Sequence, residues 1–488
     1  MDFLDPKKRA RHTIILFTGY VLIGVAIIIA TVILLYQAYG FGLNRNGTVI
    51  QNGLLFFSSQ PRPADIYING KLSKSKTNTR LVLPSGLYNI KLDKTGYRPW
   101  ERTIELDGGR VAHYDYPLLF PQNLVTTKLH GYDTAPGLAT QSLDRRWVLV
   151  AQAGSMTNFD VYDLKNPANQ PVAIVLPNNL LTKATATESW QASEWADDNQ
   201  HVVLQHLYDG KIEYILLDRA APDQSLNLNK TLAATPAKLT LNDKKYDQYY
   251  LYNADLTLQT ASLRAPALVT VLNHVLAYQT YGNNSVLYVT DEGAAAGKVT
   301  VKFIDNGQTH VLRSLPVGTT YLVDLTKYSG IFYFAIGAAS ENKVYVYKDP
   351  IGQINAGVVK TPVPAQVLHV ENPNYVGFSS NAQFIVAENG QQFGVYDIEN
   401  KHGYNYITSQ ALDAPQVHAS WMDGNRLNYV SGGKLLVFDY DYTNKQTLQT
   451  AAPSYLPIFA PDYQDMYTVA PSSLAGQFEL TRTALLVP

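Results

Sequence analysis

One uncharged run constrains the fold of this chain more than any other feature. Residues 13–35 read TIILFTGYVLIGVAIIIATVILL and contain no charged side chain. An α-helix rises about 1.5 Å per residue, so this run is roughly 35 Å long and exceeds a hydrocarbon core of about 30 Å. No polar face interrupts it, which argues against a buried helix of a soluble domain. The run therefore predicts a single transmembrane helix over residues 13–36.

The charges around this run predict its orientation. The tail of residues 1–12 carries four basic residues just before the run: Lys7, Lys8, Arg9 and Arg11. The first charge after the run is Arg45. Because basic residues are retained on the cytoplasmic side, we expect a cytoplasmic basic tail and an extracytoplasmic ectodomain on a single-pass cell-membrane protein. The tail is too short to hold a folded output domain.

A cleaved signal peptide is the alternative interpretation of the same segment. Ala38 and Gly40 would make an acceptable small-residue cleavage site. The apolar stretch of a signal peptide is usually only about 7–15 residues long, however, and this run is longer. A signal anchor that stays in the membrane is therefore the preferred prediction.

The composition excludes several classes of site. The chain has no cysteine, which rules out disulfides, thiolate nucleophiles and cysteine-ligated metals and fits an exported bacterial envelope protein. Its net charge is −1, with no basic stripe beyond the N-terminus, so a nucleic-acid partner is not expected. The 34 tyrosines favour strands and also suit recognition surfaces.

Short alternating strands begin after a predicted linker over residues 37–52. Turn signals occur at Asn69-Gly70 and at Pro84-Ser85-Gly86. Between the turns, residues 88–92 alternate apolar and polar side chains, the period of a half-buried strand. About seven such strands over residues 53–120 predict a small β-sandwich of two packed sheets.

The segments PADIYINGKL and LPSGLYNIKLDKTGYRPWERTIELDGG resemble a PEGA domain. The positions that carry the resemblance are Pro63, Gly70, Gly86, Tyr88, Lys94, Gly96 and Tyr97. Only Pro63 remains of the tetrapeptide that gives the family its name. Trp100 follows these turns, and we expect its ring to pack one sheet onto the other. The resemblance implies a non-catalytic, surface-exposed module beside a membrane or cell wall, and it names no ligand.

Residues 122–488 repeat one unit, in which a polar turn and an apolar strand are followed by a second strand ending near an aspartate. The copies begin at Ser142, Ser193, Tyr246, Tyr281, Tyr328, Phe378, Trp421 and Pro461, the third being the faintest. The marker aspartates are Asp163, Asp218, Asp255, Asp305, Asp349, Asp397 and Asp439. A drifting period of about 40–50 residues predicts a β-propeller, here of seven or eight blades.

The style of this repeat resembles that of TolB-like and YVTN-type propellers. A terminal strand near residues 477–487 is expected to complete the first blade and close the ring. A string of β-sandwiches is the alternative, but it should show units of about 100 residues separated by linkers. The predicted fold is thus an all-β ectodomain, a sandwich plus a propeller, on one transmembrane helix.

The sequence contains no motif of an established catalytic or metal site. Metal-ligand spacings, a nucleophile elbow, a P-loop and a dinucleotide fingerprint are all missing. His201 and His206 fall on opposite faces of one strand and are expected to be structural. Asp439 and Asp441 lack the glycine and glutamate of a calcium loop. We therefore expect no enzyme, no cofactor and no metal.

These observations favour a membrane-anchored binding or scaffolding protein. Its propeller would present a broad face to a protein, glycan or cell-wall partner. An envelope propeller enzyme, such as a lyase or glycosidase, is one alternative, and a sensor ectodomain acting through a partner is another. Acids or histidines clustered at the propeller mouth would favour catalysis, whereas tyrosine-rich loops there would favour binding.

The anchor prediction can be tested by membrane fractionation. Because the uncharged helix is expected to stay in the bilayer, full-length protein should remain in the membrane pellet after high-salt and carbonate washes. The N-terminal residue of the mature protein provides the control. Soluble protein beginning near Gly40 or Phe41 would identify the segment as a cleaved signal peptide instead.

Overall fold

The computed structural model describes residues 6–38, 40–43, 49–357, 361–414 and 417–486. The chain divides into two compact units, residues 1–123 and residues 124–488. Almost all regular structure after the first helix is β-strand. The predicted class, a β-rich chain behind one N-terminal apolar helix, is confirmed.

The apolar run forms a continuous helix, α1 (Pro6–Ala38), which extends the predicted span of 13–36 at both ends. The part from Arg9 to Ala38 is long and apolar enough to cross a membrane, and its most apolar window buries no side chain in the protein. The hydroxyl group of each of its three threonines donates a hydrogen bond to the backbone carbonyl oxygen four residues earlier: Thr13 to Arg9, Thr18 to Ile14 and Thr31 to Ile27. The threonine hydroxyls of this helix therefore need no hydrogen-bond acceptor from outside it.

Two four-stranded sheets follow in the first unit. The strands are β1 (Phe41–Leu43), β2 (Val49–Phe57), β3 (Asp65–Ile68), β4 (Lys71–Lys76), β5 (Thr79–Pro84), β6 (Gly86–Asp93), β7 (Trp100–Leu106) and β8 (Val111–Tyr114). In one sheet β2 pairs antiparallel with β1 and β5 and parallel with β8; the other sheet has the order β4-β3-β6-β7.

Two sequence assignments need correction in this unit. The predicted linker over residues 37–52 contains β1 and the start of β2, because residues 49–51 pair with residues 41–43 as part of the first sheet. Strand β4 was not anticipated, since its sequence KLSKSK lacks the apolar alternation that marks a half-buried strand. It is an edge strand that pairs only with β3, where polar residues face solvent.

The core of the first unit lies between the two sheets. Trp100 on β7 is 1% exposed and is among the largest fully buried side chains of the chain. Its ring lies 6.4 Å from that of Tyr114 on β8, in the other sheet, and 6.0 Å from that of Tyr116. The indole thus joins the two sheets of the sandwich.

The second unit consists of four-stranded antiparallel sheets that follow one another along the chain, with eight of them in the described residues. Blade 1 comprises β10 to β13 (Leu138–Gln141, Trp147–Ala151, Asn158–Asp163, Val172–Val175), and blade 2 comprises β14 to β17 (Glu188–Trp195, His201–Tyr208, Lys211–Asp218, Leu226–Asn227). Blade 3 comprises β18 to β21 (Lys238–Leu241, Gln248–Tyr252, Leu258–Ser262, Val269–Leu272), and blade 4 comprises β22 to β25 (Val275–Tyr281, Ser285–Thr290, Lys298–Asp305, Gln308–Pro316).

The remaining four sheets continue the pattern. Blade 5 comprises β26 to β29 (Tyr321–Tyr328, Ile331–Ala338, Lys343–Lys348, Gln366–His369), and blade 6 comprises β30 to β33 (Tyr375–Phe378, Phe384–Glu388, Gln392–Asp397, His402–Ile407). Blade 7 comprises β34 to β37 (Ser420–Trp421, Arg426–Ser431, Lys434–Asp439, Gln446–Thr450), and blade 8 comprises β38 to β40 (Ile458–Phe459, Asp465–Pro471, Phe478–Ala484) with β9 (Val125–Tyr132). Two short helices, α2 (Leu228–Thr231) and α3 (Pro350–Asn355), follow strands of blades 2 and 5.

Blade 8 closes the ring with strands from both ends of the domain. Strand β9 pairs antiparallel with β40, from Ala484 opposite Val125 to Phe478 opposite Tyr132. The prediction that the C-terminal strand completes the first blade is therefore wrong. Instead, the first strand of the domain, β9, completes the last blade. Blades 8 and 1 then share a buried cluster that includes Tyr132, Val148 and Tyr467.

Removing the C-terminal strand should therefore unfold the whole ring. Deletion of residues 477–488 leaves the edges of β9 and β39 unpaired and uncovers the apolar face of blade 1. We expect aggregation, or a single large drop in Tm measured by circular dichroism. Deletion of residues 486–488, which follow β40, is the control and should leave Tm nearly unchanged. A full-length-like transition after the longer deletion would contradict ring closure.

Trp100→Ala should destabilise the first unit strongly. Removing a fully buried indole costs about 3–5 kcal/mol of unfolding free energy. Leu87→Ala on the same sandwich is the matched control, because Leu87 is 68% exposed and its loss should cost less than about 0.5 kcal/mol. Urea unfolding followed by far-ultraviolet circular dichroism measures both. Equal midpoints for the two variants would place Trp100 outside the core.

Candidate functional site

The four basic residues predicted to set topology all lie in α1. Lys7, Lys8, Arg9 and Arg11 occupy its first two turns, directly before the uncharged run. Arg9 and Arg11 are exposed. The helix therefore places its positive charge at one end, as expected for a segment that orients itself in a membrane.

The predicted glycine turns of the sandwich are turns in the structure. Gly70 and Gly96 adopt φ angles of +76° and +84°, which side chains with a Cβ rarely adopt. Gly96 belongs to a turn closed by the backbone N–H of Tyr97, which donates to the carbonyl oxygen of Lys94 at 3.0 Å. Tyr97 itself is buried. These residues shape the hairpins of the sandwich.

The other predicted sandwich residues also make framework contacts. The carbonyl oxygen of Pro63 accepts a hydrogen bond from Nζ of Lys94 at 3.0 Å. Gly86 begins β6, and the hydroxyl of Tyr88 donates to the carbonyl oxygen of Pro84 at 2.8 Å. The set is thus distributed over turns and strand ends, and it does not converge on one site.

The innermost strands of the eight blades surround the axis of the propeller and define its central channel. On the blade 3 side, Lys238 is exposed on β18, yet the surrounding protein lowers the pKa of its ammonium group, an effect that Glu194 on blade 2 partly offsets. Its Nζ lies 5.3 Å from the centre of the Tyr278 ring on blade 4. The channel wall is therefore polar and charged at this point.

A second group of ionisable residues lies across blades 5 to 7; we call it the channel cluster. Its members are Asp324 on β26, Tyr375 on β30, Glu388 on β31 and His418 just before β34. Burial raises the pKa of Asp324 to about 7, although the N–H groups of Leu325 (2.8 Å) and Phe378 (3.3 Å) donate to its carboxylate and oppose the shift. A carboxyl group in this state is partly protonated at neutral pH.

The rest of the channel cluster is tightly packed. The rings of Tyr375 and His418 stack with their centres 4.7 Å apart. Burial, together with the nearby carboxylates of Asp324 and Glu388, raises the pKa of Tyr375 to about 12. Glu388 is fully buried, and its Oε1 lies 3.3 Å from Nδ1 of His418 and accepts from the N–H of Ala419 at 3.3 Å. The cluster combines acids and a histidine, but its contacts also hold adjacent blades together.

His201 and His206 both lie on β15 and point to opposite faces. The ring of His201 stacks on Tyr246 with centres 4.1 Å apart. His206 is fully buried, with Nδ1 2.8 Å from Glu213 and Nε2 2.9 Å from Glu188. Burial alone would raise the pKa of Glu213, but hydrogen bonds from His206 and neighbouring groups lower it to about 2. Both histidines are part of the blade 2 framework.

The described residues contain no group of three or more histidine or acidic side chains placed to hold a metal ion. In the segment that faintly resembles a calcium loop, Asp439 lies 3.6 Å from Nε of Arg426 and accepts from Nδ2 of Asn444 at 2.9 Å. Asp441 accepts from the hydroxyl of Thr443 at 2.7 Å. Protein groups thus engage the carboxylates that a calcium ion would need.

A cleft with a volume of about 1060 Å³ lies between blades 3 and 4 of the propeller. One wall carries Tyr250, Thr260 and Val269, which form a cross-strand row on blade 3. The opposite wall carries Val286 and Ile304, which are paired on blade 4. Asparagines from adjacent turns surround the rim: Asn242, Asn283, Asn284 and Asn306. This cleft is the principal candidate binding site.

Comparison with known proteins gives a family match for the first unit and matches to solved structures for the second. Residues 52–119 match the PEGA domain. This PEGA domain is the sandwich described above, and its match agrees with the resemblance seen in the sequence. No curated protein matches the sequence of the chain.

Solved β-propellers resemble the remainder of the chain at the level of fold. The C-terminal WD40 domain of Sif2 has a TM-score of 0.48 and 9% identity, covering 75% of this chain and 99% of that one. The Dos1 propeller has a TM-score of 0.46 and 10% identity, and the match covers 74% of this chain and 95% of that one. Oligogalacturonate lyase in complex with manganese has a TM-score of 0.39 and 11% identity, and the match covers 74% of this chain and 98% of that one. The TolB-like or YVTN-type subtype stays a prediction.

Asp324→Asn should change how stability depends on pH. Because the pKa of Asp324 is about 7 in the folded protein, against 3.8 for a free aspartate side chain, the wild type loses stability as pH rises from about 4 to about 7. The variant carries no charge at this position, so above pH 7 it should gain up to about 4 kcal/mol relative to wild type, and nothing near pH 4.

Urea unfolding at several pH values measures this difference. Asp255→Asn is the control, because hydrogen bonds from Thr257 lower the pKa of the exposed Asp255 carboxyl. Asp255→Asn should therefore not show the gain in unfolding free energy above pH 7 that is expected for Asp324→Asn. A constant difference between wild type and Asp324→Asn across this range would show that Asp324 is ionised in the folded protein.

Proposed function

We propose that this protein is a membrane-anchored binding or scaffolding protein whose propeller, outside the cytoplasm, holds a protein, glycan or cell-wall partner. The observation that carries the proposal is the cleft between blades 3 and 4. Its volume of about 1060 Å³ is at the upper end of ligand sites, which usually span about 300–1,000 Å³. It combines small apolar side chains with amide groups at the rim and with the charged groups of Lys245, Asp247 and Arg264, a lining suited to binding.

The proposed location rests on the N-terminal segment. The unpacked apolar surface of α1 suits lipid, and the basic residues at its start favour a cytoplasmic tail. The PEGA domain comes between this helix and the propeller in the sequence. We propose that it acts as a spacer that keeps the binding domain away from the bilayer.

A second candidate function, an envelope enzyme such as a lyase or glycosidase, is favoured by the channel cluster. A carboxyl group whose pKa is about 7, such as that of Asp324, is suited to general acid catalysis at neutral pH. Against this role, both oxygens of the group already accept backbone hydrogen bonds: one accepts from Leu325 of blade 5 itself, and the other accepts from Phe378 and holds blade 5 to blade 6. We therefore propose that the chain itself is not an enzyme.

Site-specific photo-crosslinking in intact cells tests the binding function. A photoreactive amino acid at Ala267, which lines the cleft, should give a discrete higher-mass product because a bound partner lies against it. Ala173 on the outer strand of blade 1 is the matched control, since it is also exposed and lies outside the cleft. Equal products at both positions, or none at Ala267, would contradict binding at the cleft.

The same cells report the orientation of the protein. Protease added outside intact cells or spheroplasts should digest the PEGA domain and the propeller, because both are expected to be extracytoplasmic. An epitope tag at the N-terminus should survive until the membrane is opened. Protection of the propeller would place it in the cytoplasm.

A further inference from the structure

The gaps between blades widen outward, because eight sheets radiate from one axis. Close packing requires that side chains fill the outer part of each gap. Between blades 2 and 3, helix α2 supplies Leu228, and Leu232 follows it; both are buried in a shared cluster. Between blades 4 and 5, helix α3 supplies Ile351 and Ile354. These two gaps are closed by inserted apolar residues.

The gap between blades 3 and 4 has no such filler among the described residues. The connection from β20 to β21 lines the cleft with Arg264, Ala265 and Ala267, and none of these is a large apolar residue. Beyond them Val269 and Val271, both lining residues, remain 60% and 40% exposed. Tyr250 and Val286 are buried at the inner end, so the gap is closed near the axis and open at its outer side.

The outer strand beside this gap is an unprotected sheet edge. Strand β21 pairs with β20 on one side only, so one row of its N–H and C=O groups is unpaired. The residues from Arg264 to Val271 are all exposed, and residues 265–272 read APALVTVL without a charge. Natural sheet edges are usually protected by charge or by a covering segment, because a free apolar edge pairs readily with another strand.

The cleft also contains a polar group that lacks a partner. Oδ1 of Asn242, a lining residue, is buried and accepts no hydrogen bond from the described residues. Tyr250 is the one aromatic residue among those that line the cleft, and it is buried, with its hydroxyl donating to Asn283 at 3.3 Å. The walls therefore offer aliphatic contacts, and no exposed ring on which a sugar could stack.

We propose that an extended peptide segment of a partner protein adds to β21 as a fifth strand of blade 3 and inserts aliphatic side chains into the cleft. The main chain of the peptide pairs with the free edge, and every second side chain enters the gap between blades 3 and 4. A segment with aliphatic side chains fits the uncharged edge of β21 and the valine, alanine and isoleucine side chains of the walls, where Lys245, Asp247 and Arg264 also line the cleft. This inference rests on the proposed binding function and names the chemistry of its partner.

Peptide selection against the full-length protein in detergent micelles tests this proposal. The probe is a displayed library of random 12-residue peptides, and the enriched peptides are synthesised with a fluorophore to measure Kd by anisotropy. We expect alternating aliphatic sequences. Val269→Lys should weaken their binding at least tenfold, because it places a charge on the edge strand and in the cleft. Ala267→Trp, which fills the cleft, should weaken it similarly.

Val172→Lys is the matched control for Val269→Lys. Val172 lies on β13, the outer strand of blade 1, and is 64% exposed, so the same substitution should change Kd less than twofold. A thermal melt confirms that each variant is folded. Peptides N-methylated at alternate residues test the strand geometry: one set of methyl groups should abolish main-chain pairing and weaken binding at least tenfold, and the complementary set should not.

Four results would overturn the proposal. These are failure to enrich any peptide over empty micelles, equal weakening by Val269→Lys and Val172→Lys, tolerance of both N-methylated series, and a concentration-dependent dimer that Val269→Lys abolishes. The last result would assign the edge to a second copy of this chain. A crosslinked partner at Ala267 in cells, together with any of these, would leave the binding function intact and reject only the peptide strand.

Discussion

The pairing of β9 with β40 is the contact on which the propeller depends. It brings residues from the two ends of the domain together, so that the hydroxyls of Thr126 and Thr483, 357 positions apart, lie 2.9 Å from each other. Without this pairing the first and last blades would each expose an apolar face, and every inter-blade gap would lose the constraint that fixes its width. The unfilled cleft between blades 3 and 4 has a defined shape because the ring around it is closed.

The fold could be predicted largely because the sequence repeat coincides with one hairpin of each blade. The copy that begins at Ser142 contains β11 and β12, the second and third strands of blade 1, and the later copies follow the same rule. These strands are buried on both faces and are therefore strongly apolar, as in the VLVA segment of β11. Many residues of the inner and outer strands are half-exposed or exposed, as in β25 and β26, so these strands lack a continuous apolar run and the predicted blade number stayed between seven and eight.

The aspartate markers have a physical basis that also explains their irregular spacing. In five blades the marker aspartate is the last residue of the third strand. Asp163 and Asp218, for example, accept hydrogen bonds there from N–H groups of the following turn. Asp255 instead lies in a turn of blade 3, and Asp349 caps helix α3. The candidate sites left no such marker. The channel cluster brings together residues 324, 375, 388 and 418, which are far apart in the sequence. The cleft results from the absence of large side chains between two blades, and no sequence motif corresponds to such an absence.

Closure by the two ends of the domain has a consequence for biosynthesis. Among the propeller strands, β9 leaves the ribosome first and, on the proposed topology, crosses the membrane first, whereas β40 follows all the others. Strand β9 must therefore wait, without its partner, until the other blades have emerged. Contacts between such distant residues make folding slow and leave sheet edges open in the meantime. On that topology, the incomplete ring has to be protected from aggregation until β40 has emerged.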